Sequence, residues 1–361
     1  AGCRCKTFKS KILQVLTEPK LAKRKLTIQQ RKRVAAIQEK RKLKTGQSTD
    51  NGLNFTENEK AETGQVVSRF GKHLAVLPDN PDNSNIYHCQ VRQNLGHLAC
   101  GDRVIWEKTH DDPNVYEGIV TAVKKRATVL SRSTFSGEEK PLAANLDQLI
   151  VVIAPQPEPS EYLLDQYLIA AERANIDAII AVNKSDQLDD MEKQALTDRL
   201  KPYRQIGYPV IFISSKTLDG LQPLKDLLKE KTSIFVGQSG VGKSSLTNAL
   251  IPDLDLQTKT LSDKNSQGQH TTSASTLYRL DNRGCIIDSP GVRSFRLGDI
   301  DQSDLESGYR DLRAYIGHCK FSNCSHISEP GCALIEASEQ GKVSALRLKN
   351  FLHMLKEIKQ S

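Results

Sequence analysis

No window of this 361-residue sequence approaches the roughly 18 uninterrupted apolar residues of a membrane-crossing helix, and hydrophobic residues make up 38% of it. The first 20 residues mix Lys and Arg throughout and lack an apolar block before a small-residue cleavage site, so no secretion signal is read there. The expectation is a soluble, cytoplasmic protein with no membrane contact. A disulfide framework is missing too. Three of the eight cysteines fall in one cluster and the others are scattered, the usage of a reducing compartment. Aromatic residues are only 5%, and the single Trp, Trp106, is expected in a core and not as a stacking platform. Acidic side chains are nearly absent from residues 1–45, which hold 15 Lys and Arg against Glu18 and Glu39. That local +13 leaves 36 basic and 41 acidic residues elsewhere, so the overall +8 is a basic tail on a mildly acidic body. Such a tail reads as a nucleic-acid or membrane-surface arm, bound by counterion release, against a solvated extension.

What is present organises into blocks, and the length suffices for two or three domains. Residues 20–45 space Leu26, Ile28, Val34 and Ile37 too sparsely for a core, and residues 45–63 are polar and turn-rich, a linker. Between Gly64 and Arg132 lie short β-rich runs at 65–70, 73–77, 86–91, 103–106 and 115–123. Their number and spacing predict a small barrel of OB type, a fold that often binds single-stranded nucleic acid. From about Asn145 the period changes. Residues 147–154 predict a strand, and 160–174 an amphipathic helix with Leu163, Leu164, Tyr167, Leu168 and Ala171 on one side. Alternating strands and helices follow to Leu250, and residues 276–288 read as a hairpin. Near the end, Cys319, Cys324, His326 and Cys332 supply three thiolates and an imidazole, the donor set of a closed tetrahedral Zn²⁺ site with a structural role. The closing helix, residues 343–358, is amphipathic.

The chemistry gathers in five short elements. Gly237-Gln238-Ser239-Gly240-Val241-Gly242-Lys243-Ser244-Ser245 follows an apolar run and has the form of a phosphate-binding loop. Its glycines let backbone N–H groups wrap a phosphate, Lys243 reaches the β/γ oxygens, and Ser244 offers a hydroxyl to Mg²⁺. Asn183-Lys184-Ser185-Asp186 ends another apolar run. Asp186 can accept from guanine N1–H and N2–H₂ as a fork, while an amide such as Asn183 can meet O6 and N7; adenine offers no such donors. Asp288-Ser289-Pro290-Gly291 places an Asp in the Mg²⁺ shell and a Gly N–H at the γ-phosphate. Either Thr271 or Thr272 adds a hydroxyl to the same metal, with Thr272 preferred. Ser214-Ser215-Lys216 turns its backbone toward guanine O6. The water-positioning Gln that commonly follows Asp-x-x-Gly is replaced by Val292, so slow intrinsic turnover is expected. His270 is the in-chain candidate for that role, against an exposed loop histidine with no part in the reaction.

The order of these elements is unusual, because residues 183 and 214 precede the phosphate loop at 237, whereas an ordinary GTPase has the reverse order. The domain is circularly permuted, which the site tolerates because it depends on where the loops lie in space. In these motifs the chain resembles the circularly permuted, ribosome small-subunit-dependent GTPase A family over about residues 60–355. The cysteine and histidine spacing matches that family's zinc motif, and its members share a His at the place of His270. The resemblance implies a multidomain protein: an N-terminal arm and linker (1–63), an OB-fold RNA-binding barrel (64–140), a permuted α/β P-loop GTPase domain (141–298) and a helical zinc-binding domain (299–361). It implies a monomeric GTP hydrolase that uses GTP/GDP, Mg²⁺ and one structural Zn²⁺, and binds the small ribosomal subunit and its rRNA during late maturation. The alternatives are a GTP-dependent RNA-binding scaffold and a GTPase switch acting on a protein partner.

Overall fold

The computed structural model describes residues 61–251, 254, 275–289 and 300–360, apart from 72, 81, 84, 94, 110–115 and 134–138. Five strands come first: β1 (Ala61–Phe70), β2 (His73–Pro78), β3 (Tyr87–Val91), β4 (Arg103–Lys108) and β5 (Gly118–Val123). β1 pairs antiparallel with β2 and β4, β2 with β3, and β4 with β5, while β3 runs parallel to β5. The ring closes in the order 1-2-3-5-4, which leaves no free edge. Val66, Leu74, Val76, Cys89, Val104, Trp106 and Val120 fill the interior, and Trp106 is fully buried as expected. β1 starts at Ala61, inside the stretch expected to be linker. β6 (Val129–Ser133) and β7 (Glu139–Ala144) then form a separate hairpin that the sequence reading did not anticipate.

The α/β part follows: β8 (Gln148–Ile153), α1 (Glu161–Ala174), β9 (Asp177–Val182), α2 (Asp190–Gln205), β10 (Val210–Phe212), α3 (Leu221–Leu228), β11 (Thr232–Val236), α4 (Lys243–Leu250), β12 (Thr276–Arg279) and β13 (Cys285–Asp288). The strand order is β10-β9-β8-β11-β13, all parallel, with β12 antiparallel beside β13. Successive side chains of a strand point to opposite faces, so a sheet covered on both sides needs apolar residues at every position. β8 meets that need: Leu149, Val151 and Ile153 enter one core while Ile150 and Val152 enter the other. Ser68 of β1 stands opposite Thr276 of β12, which joins the barrel to the sheet.

Three further helices, α5 (Gln302–Gly308), α6 (Ala333–Glu339) and α7 (Ala345–Gln360), enclose a third core around Leu305, Tyr309, Leu312, Leu334, Phe351 and Met354. Ile169 of α1 belongs to this core, while Leu164, Tyr167, Leu168 and Ala171 face the sheet. This corrects the expectation of a helix buried on one side only. The helical domain covers the opposite flank, so Asp165 and Ile169 are buried as well. No helix among the described residues is long and apolar enough to cross a membrane.

Candidate nucleotide site and metal cage

Ligands of a parallel α/β sheet bind outside the carboxyl ends of its strands. Four of the five sequence elements arrive there. The phosphate loop joins β11 to α4, Asn183 follows β9, Ser214 follows β10, and Asp288 ends β13. The left-handed φ of 92° at Gly242 suits glycine, and a Cβ there would collide with the Asn183 carboxamide. Lys243 Nζ donates to the carbonyls of Gly237 (2.7 Å) and Gln238 (2.6 Å), which holds its ammonium over the loop. Val241 is buried, while Ser239 and Gly240 at the loop's tip and Ser244 and Ser245 in the first helical turn are exposed. Ser244, in the first turn of the helix that follows β11, and Asp288, at the end of the neighbouring strand β13, offer oxygen donors, the donor type that Mg²⁺ takes.

Asn183 is fully buried, and both ends of its amide are committed within the protein. Nδ2 donates to Val241 O (2.9 Å), and Oδ1 accepts from Ser215 N (3.1 Å). The residue is therefore a strut between the phosphate loop and the Ser214-Ser215-Lys216 turn, where the sequence reading had its amide meeting the base. Asp186 stays exposed, and its Oδ1 accepts from Ser214 Oγ at 2.6 Å. Ser214 Oγ in turn accepts from the N–H groups of Lys216 (3.2 Å) and Thr217 (3.0 Å). Ser185 N donates to Ile213 O (3.0 Å), tying the two loops together. Lys184 adopts a left-handed φ of 61°, and its Nζ donates to Gln156 O at 2.9 Å. The loop after β8 thus borders the site, a contribution with no motif to announce it. His270, Thr271, Thr272, Gly291 and Val292, like the arm at 1–60, lie outside the described residues.

The second site is the cage of Cys319, Cys324, His326 and Cys332, whose ligand atoms lie within 4.8 Å of one another. Cys319 Sγ is 3.4 Å and Cys332 Sγ 3.5 Å from His326 Nδ1, and the two sulfurs are 3.9 Å apart. A tetrahedral Zn²⁺ with bonds of about 2.3 Å to sulfur and about 2.0 Å to nitrogen has edges of roughly 3.5–3.8 Å, so the donors fit that ion. Burial lowers the pKa of His326, keeping the imidazole in the neutral form that can ligate. Glu329, three residues before the last ligand, clasps the ligand loop. One carboxylate oxygen accepts from Ser325 N and Oγ, the other from Ile327 N (3.0 Å) and Ser328 N (3.1 Å). The Ser325 hydroxyl bond, followed by the backbone bonds, lowers the Glu329 pKa to about 2.

Loops in permuted order around one edge of a parallel sheet define a circularly permuted P-loop GTPase. A family profile described as RsgA GTPase matches residues 123–298. The small ribosomal subunit biogenesis GTPase RsgA of Hahella chejuensis is 41% identical over 344 residues, covering 94% of this chain and 98% of that protein. Its namesake in Klebsiella pneumoniae strain 342 is 42% identical over 346 residues, covering 94% and 96%. Among solved structures, YjeQ from Thermotoga maritima superposes with a TM-score of 0.67 at 29% identity, covering 83% of this chain and 99% of that one. YloQ, described as a circularly permuted GTPase, gives 0.65 at 29% identity over 85% and 98%. The chain belongs to the RsgA GTPase family and is a GTP hydrolase. That membership brings GTP, GDP and Mg²⁺ as its nucleotide and metal partners.

Proposed function

We propose that this GTPase binds the small ribosomal subunit through its rRNA and assists late maturation, with the subunit stimulating hydrolysis of GTP to GDP and phosphate. The observation that carries the reading is similarity along nearly the whole chain to relatives named for small-subunit biogenesis, at 41% identity over 94% of this chain in one case. Barrel, nucleotide site and metal cage are all within that span. The protein works as a cytoplasmic monomer. Its basic arm and the barrel that begins at Ala61 supply the RNA contacts, the GTPase domain (141–298) the hydrolysis, and the helical domain (299–361) a structural Zn²⁺ held by Cys319, Cys324, His326 and Cys332.

In this reading Asp186, held by Ser214, accepts from guanine N1 and N2, and Asn183 keeps the loops on either side of the base in register. The backbone of residues 237–242 and the Lys243 ammonium meet the growing phosphate charge. Ser244, Asp288 and Thr272, or Thr271 in its place, hold Mg²⁺, which neutralises phosphate oxygens in phosphoryl transfer. The Gly291 N–H senses the γ-phosphate, and His270 orients the water that Val292 cannot. The test is GTP turnover by the full chain with and without purified small subunits. Stimulation of at least about tenfold is expected, a modest share of the roughly 10³–10⁵-fold that completing a GTPase site can gain, and equal rates would overturn the proposal.

A further inference from the structure

Helix α1 touches both sites. At its start, Ser160 caps the helix, accepting from Leu163 N, and fixes where the preceding loop must end. That loop borders the nucleotide site twice. Gln156 O accepts from Lys184 Nζ (2.9 Å), and the Pro157 ring faces Gly240, where an added Cβ would sit 3.7 Å from its Cδ. Arg199 of α2 holds the loop in place, donating to Pro159 O (2.7 Å), pairing with Glu158 (3.2 Å) and forking onto Glu161.

The body of α1 carries the helical domain. Fully buried Asp165 pairs with Arg347 of α7, itself 2% exposed, and accepts from Asn350 Nδ2 at 2.8 Å. The rest of the Arg347 guanidinium forks onto Asp311 with two 2.8 Å bonds and lies over the rings of Tyr309 (4.8 Å) and Tyr203 (5.1 Å). Ile169 packs so closely on Gly308 that a Cβ there would come within 2.5 Å of its Cγ2. One turn beyond Arg347, Phe351 lies edge-on to Tyr309 (5.5 Å) and 6.4 Å from the ring of the cage residue His326. The metal cage, α7, α1 and the loop against the nucleotide site therefore form one unbroken run of contacts. Its middle is a buried ion network that cannot part without stranding charge.

We propose that α1 couples the two sites: metal in the cage, through α7 and Arg347, braces the Pro155–Pro159 loop against the nucleotide loops, so that each ligand tightens the other. The inference rests on guanine-nucleotide binding at the site described above and on zinc in the cage. Coupling between sites is reciprocal, so both affinities must change by one factor, commonly 5-fold or more.

The experiment uses the full chain. Zinc affinity is measured by competition with a chromophoric chelator, with and without saturating GDP, and GDP affinity is measured with zinc loaded and withdrawn. GDP is expected to raise zinc affinity about 5-fold or more, and zinc to raise GDP affinity equally. Arg347→Lys keeps the buried cation but loses the fork, and is expected to shrink the factor toward one while both ligands still bind. If that variant does not fold, Arg199→Gln, at a half-exposed position, is expected to shrink it by freeing the loop. GDP that binds with zinc affinity unchanged in the wild-type chain overturns the coupling alone. Failure of GDP to bind at all overturns the nucleotide-site reading, and the coupling with it.

Discussion

Asp186 and Ser214 divide one task. The Ser214 hydroxyl donates to one carboxylate oxygen while accepting two backbone N–H groups, so the carboxylate is held in orientation and its other oxygen stays open to a ligand. Asp186→Asn should therefore lose about 2–4 kcal/mol of GTP affinity, the scale of a broken pair of charge-assisted bonds. Its amide can donate where guanine also donates, so xanthine nucleotides should gain what GTP loses. Calorimetry with both nucleotides checks this, and unchanged GTP binding would remove the guanine-reading role. The position of Asp186 was legible because it stands three residues from Asn183 at the end of an apolar run. The role of Asn183 was not. Its donor bond goes to Val241, 58 residues along the chain, and nothing local to residue 183 says that the carbonyl of a phosphate loop will be its neighbour.

At the scale of elements, α1 shows what a periodic pattern reveals and what it hides. Its start at Ser160, its end at Asn175 and its stripe toward the sheet follow from capping and spacing, since a helix one turn longer in either direction would lose its cap. Its second buried face did not, because Asp165 looks like a surface residue until a helix some 180 residues later covers it. The β6–β7 hairpin escaped for a different reason: Ser131, Lys140 and Pro141 break the alternation that marks a strand, and Pro cannot donate to a ladder. Burial raises the Asp165 pKa, against the pull of Arg347, to about 6 from 3.8. A carboxyl whose pKa is higher folded than unfolded binds more protons in the folded state between those values. Its contribution to stability is therefore complete below about pH 4 and is lost as pH rises through about 6. Asp165→Asn cannot titrate there. Thermal unfolding of both proteins from pH 7 to pH 4 should show the wild type gaining on the variant as the pH falls, and a constant difference would mean that Asp165 does not titrate in that window.

For the whole molecule, permutation decides which loops end where. The segment carrying His270, Thr271 and Thr272 runs into Ser275, whose carbonyl accepts from Ser68 Oγ of the barrel at 3.0 Å. The segment after Asp288, carrying Gly291, runs into α5 of the helical domain. The two stretches proposed to sense the γ-phosphate and its Mg²⁺ thus each terminate on a flanking domain. The loops at 183 and 214, proposed to read the base, do not run into a flanking domain, because both are followed by helices of the GTPase domain itself. A change at the γ-phosphate can therefore reach both flanks directly along the chain, which suits the proposed grip on RNA in one nucleotide state and its release in the other. Linkage gives the idea a number to meet: a small subunit that prefers the GTP form by some factor must raise GTP affinity relative to GDP by that same factor. We expect small-subunit affinity to be about 5-fold or more higher with a non-hydrolysable GTP analogue than with GDP, at fixed salt because phosphate contacts make such affinities salt-dependent. Equal affinities in the two states would sever nucleotide state from subunit binding and leave the permuted order without this consequence, even in an active GTPase.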